Sequence, residues 1–92
     1  MTRQLLFALG KVVSTPNALE FVVKHHINIL ILLHRHQIGD WGELCEEDRE
    51  SNEDALITDS RILSSYNFDQ DKIWIITEAD RSLTTILLPS DY

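Results

Sequence analysis

Two short segments of the chain combine ionisable side chains with glycines or turn-forming residues, a pattern typical of small binding or catalytic sites. Residues 35–42 contain Arg35, His36, Asp40 and Trp41, and residues 77–82 contain Glu78, Asp80 and Arg81. If the second segment folds over the first, Glu78 or Asp80 can serve as a general base together with His36. Hydrogen-bonded turns and a core tryptophan explain the same residues without any site. Both interpretations stay open at this stage.

Four histidines raise the question of a metal centre. They are His25, His26, His34 and His36, and they lie across a predicted junction between two helices. A structural zinc site needs a closed set of four ligands, and the sequence offers neither a second cysteine nor a tight carboxylate cluster to complete one. Charged histidines near helix ends interact favourably with the helix dipole. We therefore predict helix-end histidines and no metal ion.

Sequence motifs for catalysis and cofactor binding point away from an enzyme. No nucleophile motif, phosphate-binding loop or dinucleotide fingerprint occurs in the 92 residues. The sequence therefore predicts no cofactor and favours a protein that binds rather than catalyses.

Residues 41–57 are predicted to form a helix with two polar residues on its apolar face. A helical wheel places Trp41, Leu44, Cys45, Ala55 and Leu56 in one stripe, with Asp48 and Asn52 at its centre. Buried carboxylates and amides are costly unless they are paired. We predict that Asp48 and Asn52 are buried, with Arg35 and Arg61 as their partners.

The opposite side of this predicted helix is strongly acidic. It carries Glu43, Glu46, Glu47, Glu50, Glu53 and Asp54. Residues 1–38 have a net charge of +3 and residues 39–92 a net charge of −10, giving −7 for the whole chain. Nucleic-acid binding is disfavoured because it depends on neutralising phosphates with Lys and Arg. An acidic face suits a protein partner with a basic surface.

Composition sets the expected size and setting of the fold. The chain has 43% hydrophobic and 25% charged residues, as expected for one globular domain over residues 1–92. Its single cysteine, Cys45, rules out an intramolecular disulfide and points to the cytoplasm. We recognise no signal peptide and no apolar run near the ~20 residues of a membrane span. Small domains bury little surface, so a homodimer is a further expectation.

The elements that must position these residues are predicted from caps and periodicity. Residues 4–13 suit a short strand. Ser14, Thr15 and Pro16 predict the start of a helix that runs to about residue 26. Asn28 predicts the start of a second helix over residues 29–38, which Gly39 ends.

From residue 61 onward the apolar period changes to two. Residues 61–68, 72–77 and 83–88 predict three strands joined by short turns, with the second strand central because it is apolar on both faces. The predicted fold is α+β, with two to three N-terminal helices packed on an antiparallel sheet of three or four strands.

Several motifs occur together along nearly the whole chain. They are residues 10–19, Arg35-His36, Gly39-Asp40-Trp41-Gly42, Asp48, Asn52, Ala55-Leu56, residues 74–82, Thr84-Thr85 and Leu87-Leu88-Pro89. In this combination the chain resembles the short plasmid-related proteins of bacterial plasmids and integrative elements, which often carry the label "type I restriction endonuclease subunit M". A methyltransferase needs a cofactor-binding domain and an Asn-Pro-Pro-Tyr or Asp-Pro-Pro-Tyr motif, and this sequence has neither. The resemblance implies a mobile-element accessory protein, and small acidic proteins in that setting often inhibit host defence.

Three functional hypotheses follow. The leading one is a non-enzymatic protein-binding module that acts on a host defence or plasmid-maintenance factor through the acidic face. The second is a small enzyme or ligand-binding protein that uses residues 35–42 and 77–82. The third is a structural subunit of a homo-oligomer.

Overall fold

The computed structural model describes residues 4–92, so Arg3, which was counted in the N-terminal charge, lies outside the described residues. The elements, in chain order, are β1 (Lys11–Ser14), α1 (Pro16–Lys24), α2 (Ile29–Gln37), α3 (Glu46–Thr58), β2 (Ile62–Phe68), β3 (Asp71–Thr77), β4 (Leu83–Leu87) and a 3-10 turn (Pro89–Asp91). Three helices, all of them ahead of three of the four strands in the chain, accompany one four-stranded sheet. The predicted α+β class is confirmed.

The sheet has the strand order β1-β4-β3-β2. The predicted antiparallel meander of β2, β3 and β4 is confirmed. In the β2–β3 pair, Ile62 lies opposite Thr77 at one end and Phe68 lies opposite Asp71 at the other. The outermost strand, β1, pairs parallel with β4, so the sheet is mixed rather than wholly antiparallel. No tight turn joins these two strands, and a short hairpin is what forces neighbouring strands to be antiparallel.

The strand predicted over residues 4–13 is shorter and later than expected. It begins only at Lys11, because Gly10 adopts a left-handed conformation (φ +64°) that interrupts an extended chain. The preceding residues instead run along the end of α2, where Leu6 N donates to Gln37 O at 2.9 Å. The first part of the predicted strand is therefore a connecting segment.

The caps of the first two helices agree with the predictions. The Thr15 side chain accepts a hydrogen bond from Ala18 N at 3.1 Å, and Pro16 occupies the first turn. Asn28 Oδ1 accepts from Leu30 N at 3.1 Å and starts α2. Gly39, with φ +85°, follows the end of α2 in the left-handed conformation expected of a terminating residue.

The third helix begins later than predicted, which changes its buried face. Trp41 and Leu44 precede α3, so the apolar stripe drawn from residue 41 extended too far toward the N-terminus. Asp48 lies in the first turn and is exposed, so the prediction that it is buried is wrong. A carboxylate there is favoured in solvent, because it faces the positive end of the helix dipole.

Asn52 is buried as predicted, but its partner is not an arginine. Its amide bonds to the backbone of Leu63, whereas Arg35 pairs with Asp40 and Arg61 pairs with Glu78. The expected arginine partners are therefore wrong. One peptide acceptor and one peptide donor give both polar atoms of this neutral amide a hydrogen-bond partner, so no charged partner is needed.

Two clusters form the core. The larger one includes Phe21, Leu33, Tyr66, Ile73 and Ile75, which come from two helices and two strands. The smaller one contains Trp41, Ala55 and Ile62 and lies between α3 and the sheet edge. Within residues 4–92, no helix is both long and apolar enough to cross a membrane.

Candidate functional site

The first candidate segment is organised around an ion pair. Arg35 Nε lies 2.7 Å from Asp40 Oδ2, and Arg35 Nη2 lies 3.3 Å from Asp40 Oδ1. The hydrogen bond from Arg35 holds the pKa of the Asp40 carboxyl below its usual range. The same guanidinium stacks on the Tyr66 ring, 4.5 Å from its centroid, and the Tyr66 hydroxyl donates to Asp40 O at 2.7 Å. Burial raises the pKa of Tyr66 to about 12.

His36 belongs to a different, fully buried network. Its Nδ1 lies 2.5 Å from Ser64 Oγ, and its Nε2 lies 2.9 Å from Thr77 Oγ1. Thr77 Oγ1 lies 2.8 Å from Thr84 Oγ1, which donates to Leu9 O at 2.7 Å. These atoms form one continuous chain from Ser64 to the Leu9 carbonyl.

The terminal carbonyl fixes the direction of each hydrogen bond from His36 Nε2 to Leu9 O. A carbonyl oxygen can only accept, so Thr84 donates to it and accepts from Thr77. Thr77 then accepts from Nε2–H of His36, and the unprotonated Nδ1 accepts from Ser64. His36 is therefore protonated on Nε2, and its lowered pKa leaves Nδ1 without a proton, so the imidazole is neutral. Burial and the nearby Arg81 charge lower its pKa to about 3.

Ser64 beside a neutral imidazole has the connectivity of an activated nucleophile and its base. Both residues, however, have no exposed surface. A catalytic serine must reach the substrate carbonyl, which full burial prevents. Ser64 and His36 therefore form part of the polar core, and this network does not provide an accessible nucleophile.

Trp41 is a buried anchor with one unused polar atom. It is 4% exposed, and its backbone carbonyl accepts from Ser65 N at 3.0 Å. Within the described part of the chain, its indole Nε1 has no hydrogen-bond partner. The ring packs in the smaller core cluster against Ala55 and Ile62.

The second candidate segment is also divided among separate contacts. Glu78 Oε1 lies 3.3 Å from Arg61 Nη2, and Asp80 Oδ1 accepts from Ser82 N and Ser82 Oγ at 3.0 and 2.6 Å. The bonds from Ser82 hold the pKa of the Asp80 carboxyl below its usual range. These bonds close the turn between β3 and β4.

Arg81 ties this turn to the end of α3. Its guanidinium donates to the backbone carbonyls of Ala55 at 2.9 Å and Ser60 at 2.5 Å, and to those of Glu78 and Ala79 in its own turn. A cation at the C-terminus of a helix also complements the helix dipole. Arg81 therefore acts as a structural clamp.

The two segments thus do not assemble one polar cleft. The first divides into an ion pair, a buried histidine and a buried tryptophan, and the second divides into an ion pair, a turn and a clamp. Among residues 4–92, no three or more His, Cys, Asp or Glu side chains are grouped as metal ligands would be. The seven side chains therefore do not converge on one substrate position in this structure.

The acidic face is the other candidate site. All six predicted carboxylates are exposed: Glu43, Glu46, Glu47, Glu50, Glu53 and Asp54. Asp48 is exposed as well, but it lies one turn from Asn52 on the other side of α3. The ion pairs found within residues 4–92 involve none of them. The one cation on α3, Arg49, donates instead to the carbonyls of Gly42 and Leu44.

Sequence reasoning missed the polar residues that hold the core. Ser64 lies between Ile62 and Tyr66 on the inward parity of β2, so its burial followed from the period-two pattern. Thr77 and Thr84 gave no comparable signal, because β-branched residues are common on both faces of strands.

Comparison of the chain with models of protein families, with curated proteins and with solved structures gave no match.

Proposed function

We propose that this protein is a non-enzymatic binding module that uses the acidic face of α3 to contact a basic surface on a partner protein. The observation that carries the proposal is the set of exposed carboxylates without cationic partners, all of which except Glu43 lie on a helix of 13 residues. A rigid helix presents its charges at fixed spacing, so their fields add at a complementary surface and speed association.

The helix is anchored independently of its acidic face. Asn52 and Ala55 are its buried residues, and Arg81 binds its last turn. The exposed carboxylates on α3 itself are therefore not needed to hold it against β2, whereas Glu43, ahead of the helix, accepts a hydrogen bond from Asn67 N in β2. Side chains that carry charge without a packing role are available for a partner.

The resemblance to plasmid-related proteins supports a specific setting. In that setting the partner is a cytoplasmic host defence or plasmid-maintenance factor, and binding inhibits it. Carboxylates spaced along a helix resemble the phosphates that a DNA-binding protein expects, which makes a basic nucleic-acid-binding surface on that factor a suitable target.

The test is charge reversal at positions that have no structural role. Glu50 and Glu53 lie beyond the first turn of α3 and are exposed, so Glu50→Lys with Glu53→Lys leaves the helix N-terminus unchanged. Glu20→Lys with Asp71→Lys changes the net charge equally at exposed positions elsewhere. Host proteins captured by the tagged wild-type chain at low and high salt identify the partner, whose affinity for each variant is then measured.

We expect the Glu50/Glu53 variant to lose about tenfold or more in affinity, and the Glu20/Asp71 variant to change little. Binding by the wild type should weaken as salt rises. Equal affinities for the two variants, with both folded by circular dichroism, would remove the acidic face as the contact surface.

A further inference from the structure

A cavity of about 290 Å³ opens where α1, α2 and β2 meet. Its apolar wall is formed by Ile27, Ile31 and Leu32, together with Phe68 at the end of β2. Polar lining comes from His25, His26 and Asn28 between the two helices and from Arg35 in α2, and none of the lining residues is acidic. In a chain with a net charge of −7, a cavity without lining carboxylates is a distinct chemical environment.

Arg35 supplies a preorganised cation to this cavity. Asp40 holds its Nε and Nη2, and the Tyr66 ring packs against one face of the guanidinium. Within residues 4–92, Nη1 of Arg35 makes no hydrogen bond, so its two N–H groups are free to donate. A guanidinium already fixed in position loses little rotamer entropy when it binds a carboxylate.

His25 supplies a second oriented nitrogen. Its Nδ1 lies 3.5 Å from Asp69 Oδ2, and its ring packs against Phe21 with centroids 4.2 Å apart. With Nδ1 directed at a carboxylate, Nε2 is the nitrogen left for another ligand. Asp69 and Asp40 thus orient the two basic groups from outside the cavity lining.

We propose that this cavity binds a small carboxylic acid with an aromatic or branched apolar body. The carboxylate accepts hydrogen bonds from Nη1 of Arg35, and the apolar body packs against Ile31, Leu32 and Phe68. If each non-hydrogen atom needs roughly the 30 Å³ that a water molecule takes in the liquid, the cavity holds about ten such atoms. Phenylacetate has this size and both chemical features. None of the lining residues belongs to the acidic face, and the site does not depend on the proposed function.

The experiment is a titration of the 92-residue protein with phenylacetate, followed by amide chemical shifts and by calorimetry. The control ligand is phenylacetamide, which keeps the shape and removes the charge. We expect shift changes at residues around Ile27, Ile31 and Phe68 with phenylacetate, and binding at least about tenfold weaker with phenylacetamide.

Two variants of equal exposure test the location. Ile31 and Leu19 are both 58% exposed, but only Ile31 lines the cavity. Ile31→Glu places a carboxylate at the cavity mouth, at the third position of α2, where Glu completes a capping box with Asn28 and preserves the helix. We expect Ile31→Glu to lose about tenfold or more in affinity for phenylacetate, and Leu19→Glu to bind as the wild type does.

Arg35→Met adds a test of the charged group and should bind phenylacetate no better than the wild type binds phenylacetamide. Because this variant also frees Asp40, the Ile31/Leu19 comparison decides the location if Arg35→Met does not fold. No shift change at millimolar phenylacetate, equal binding of the acid and the amide, or equal losses in Ile31→Glu and Leu19→Glu would each overturn the proposal.

Discussion

The Asn52 side chain exchanges two hydrogen bonds with the backbone of Leu63: Nδ2 donates to Leu63 O at 2.7 Å, and Oδ1 accepts from Leu63 N at 3.1 Å. The backbone groups of Leu63 face outward from β2, which is the edge strand of the sheet. The next outward-facing backbone groups of this strand, at Ser65 and Asn67, bond to the segment around Glu43. Edge strands with unpaired backbone groups can pair with other chains. Asn52 therefore fastens α3 to the sheet and closes part of this edge.

Replacing Asn52 with Ala should destabilise the fold by about 1 to 3 kcal/mol, because Leu63 loses both hydrogen-bond partners in a half-buried position. Asp48→Ala is the matched control on the same helix, and since Asp48 is exposed we expect a change of only about 0.5 kcal/mol. Urea unfolding of both variants measures the difference. Equal losses would show that the amide contributes no more than a surface residue.

His36 should make the protein sensitive to acid. Its folded-state pKa, about 3, lies below its ordinary value of 6.5, so the unfolded chain takes up a proton that the folded chain does not. The contribution of neutral His36 to the free energy of unfolding is therefore complete above pH 6.5. It decreases as the pH falls toward 3, by up to about 1.4 kcal/mol per pH unit. Urea unfolding at several pH values between 4.5 and 6.5 measures this slope before most carboxylates titrate.

His36→Gln removes the titrating group, so it should flatten the slope even though the variant is less stable at every pH. His34→Gln, at an exposed position, should keep the wild-type slope. A slope that survives in His36→Gln would assign the acid sensitivity to another group.

Arg81 should matter more than its position in a turn suggests. Arg81→Lys keeps the charge but lacks the planar guanidinium that bonds to several carbonyls at once. We therefore expect the free energy of unfolding to fall by about 2 kcal/mol. Arg61→Lys is the control, because the Arg61–Glu78 pair is exposed and such pairs contribute less than about 1 kcal/mol. Thermal unfolding of the two variants checks this order, and the reverse order would contradict the clamp.

Gly42 should be intolerant of any side chain. It has φ +73°, and a Cβ added there would overlap the carbonyl oxygen of Ser65, to which its neighbour Glu43 is bonded at 2.8 Å. Gly42→Ala should therefore cost more than about 2 kcal/mol and disturb the edge of β2. Amide hydrogen exchange at residues 63–67 gives the local readout. Exchange and stability equal to the wild type would show that the segment relaxes freely.

The sequence by itself determined the elements whose causes are local. The Thr15 and Asn28 caps act within three residues, and the alternation of residues 62–68 needs only the pleat of one strand. These signals predicted two helix starts and the meander correctly. The acidic side of α3 was also evident, because a run of carboxylates has no place in an apolar core.

Only the tertiary structure decided which polar residues are buried and how β1 pairs. His36 meets Ser64 across 28 positions, and Thr84 meets Leu9 across 75. Burial of a polar side chain is stable only when such distant partners arrive together, and a helical wheel contains no information about them. The same reason explains why Asn52 is buried and Asp48 is not. The backbone of Leu63 in β2 provides hydrogen-bond partners for Asn52. Among residues 4–92, Asp48 has no such partner, because α3 begins only at Glu46 and the predicted apolar stripe does not extend to its first turn.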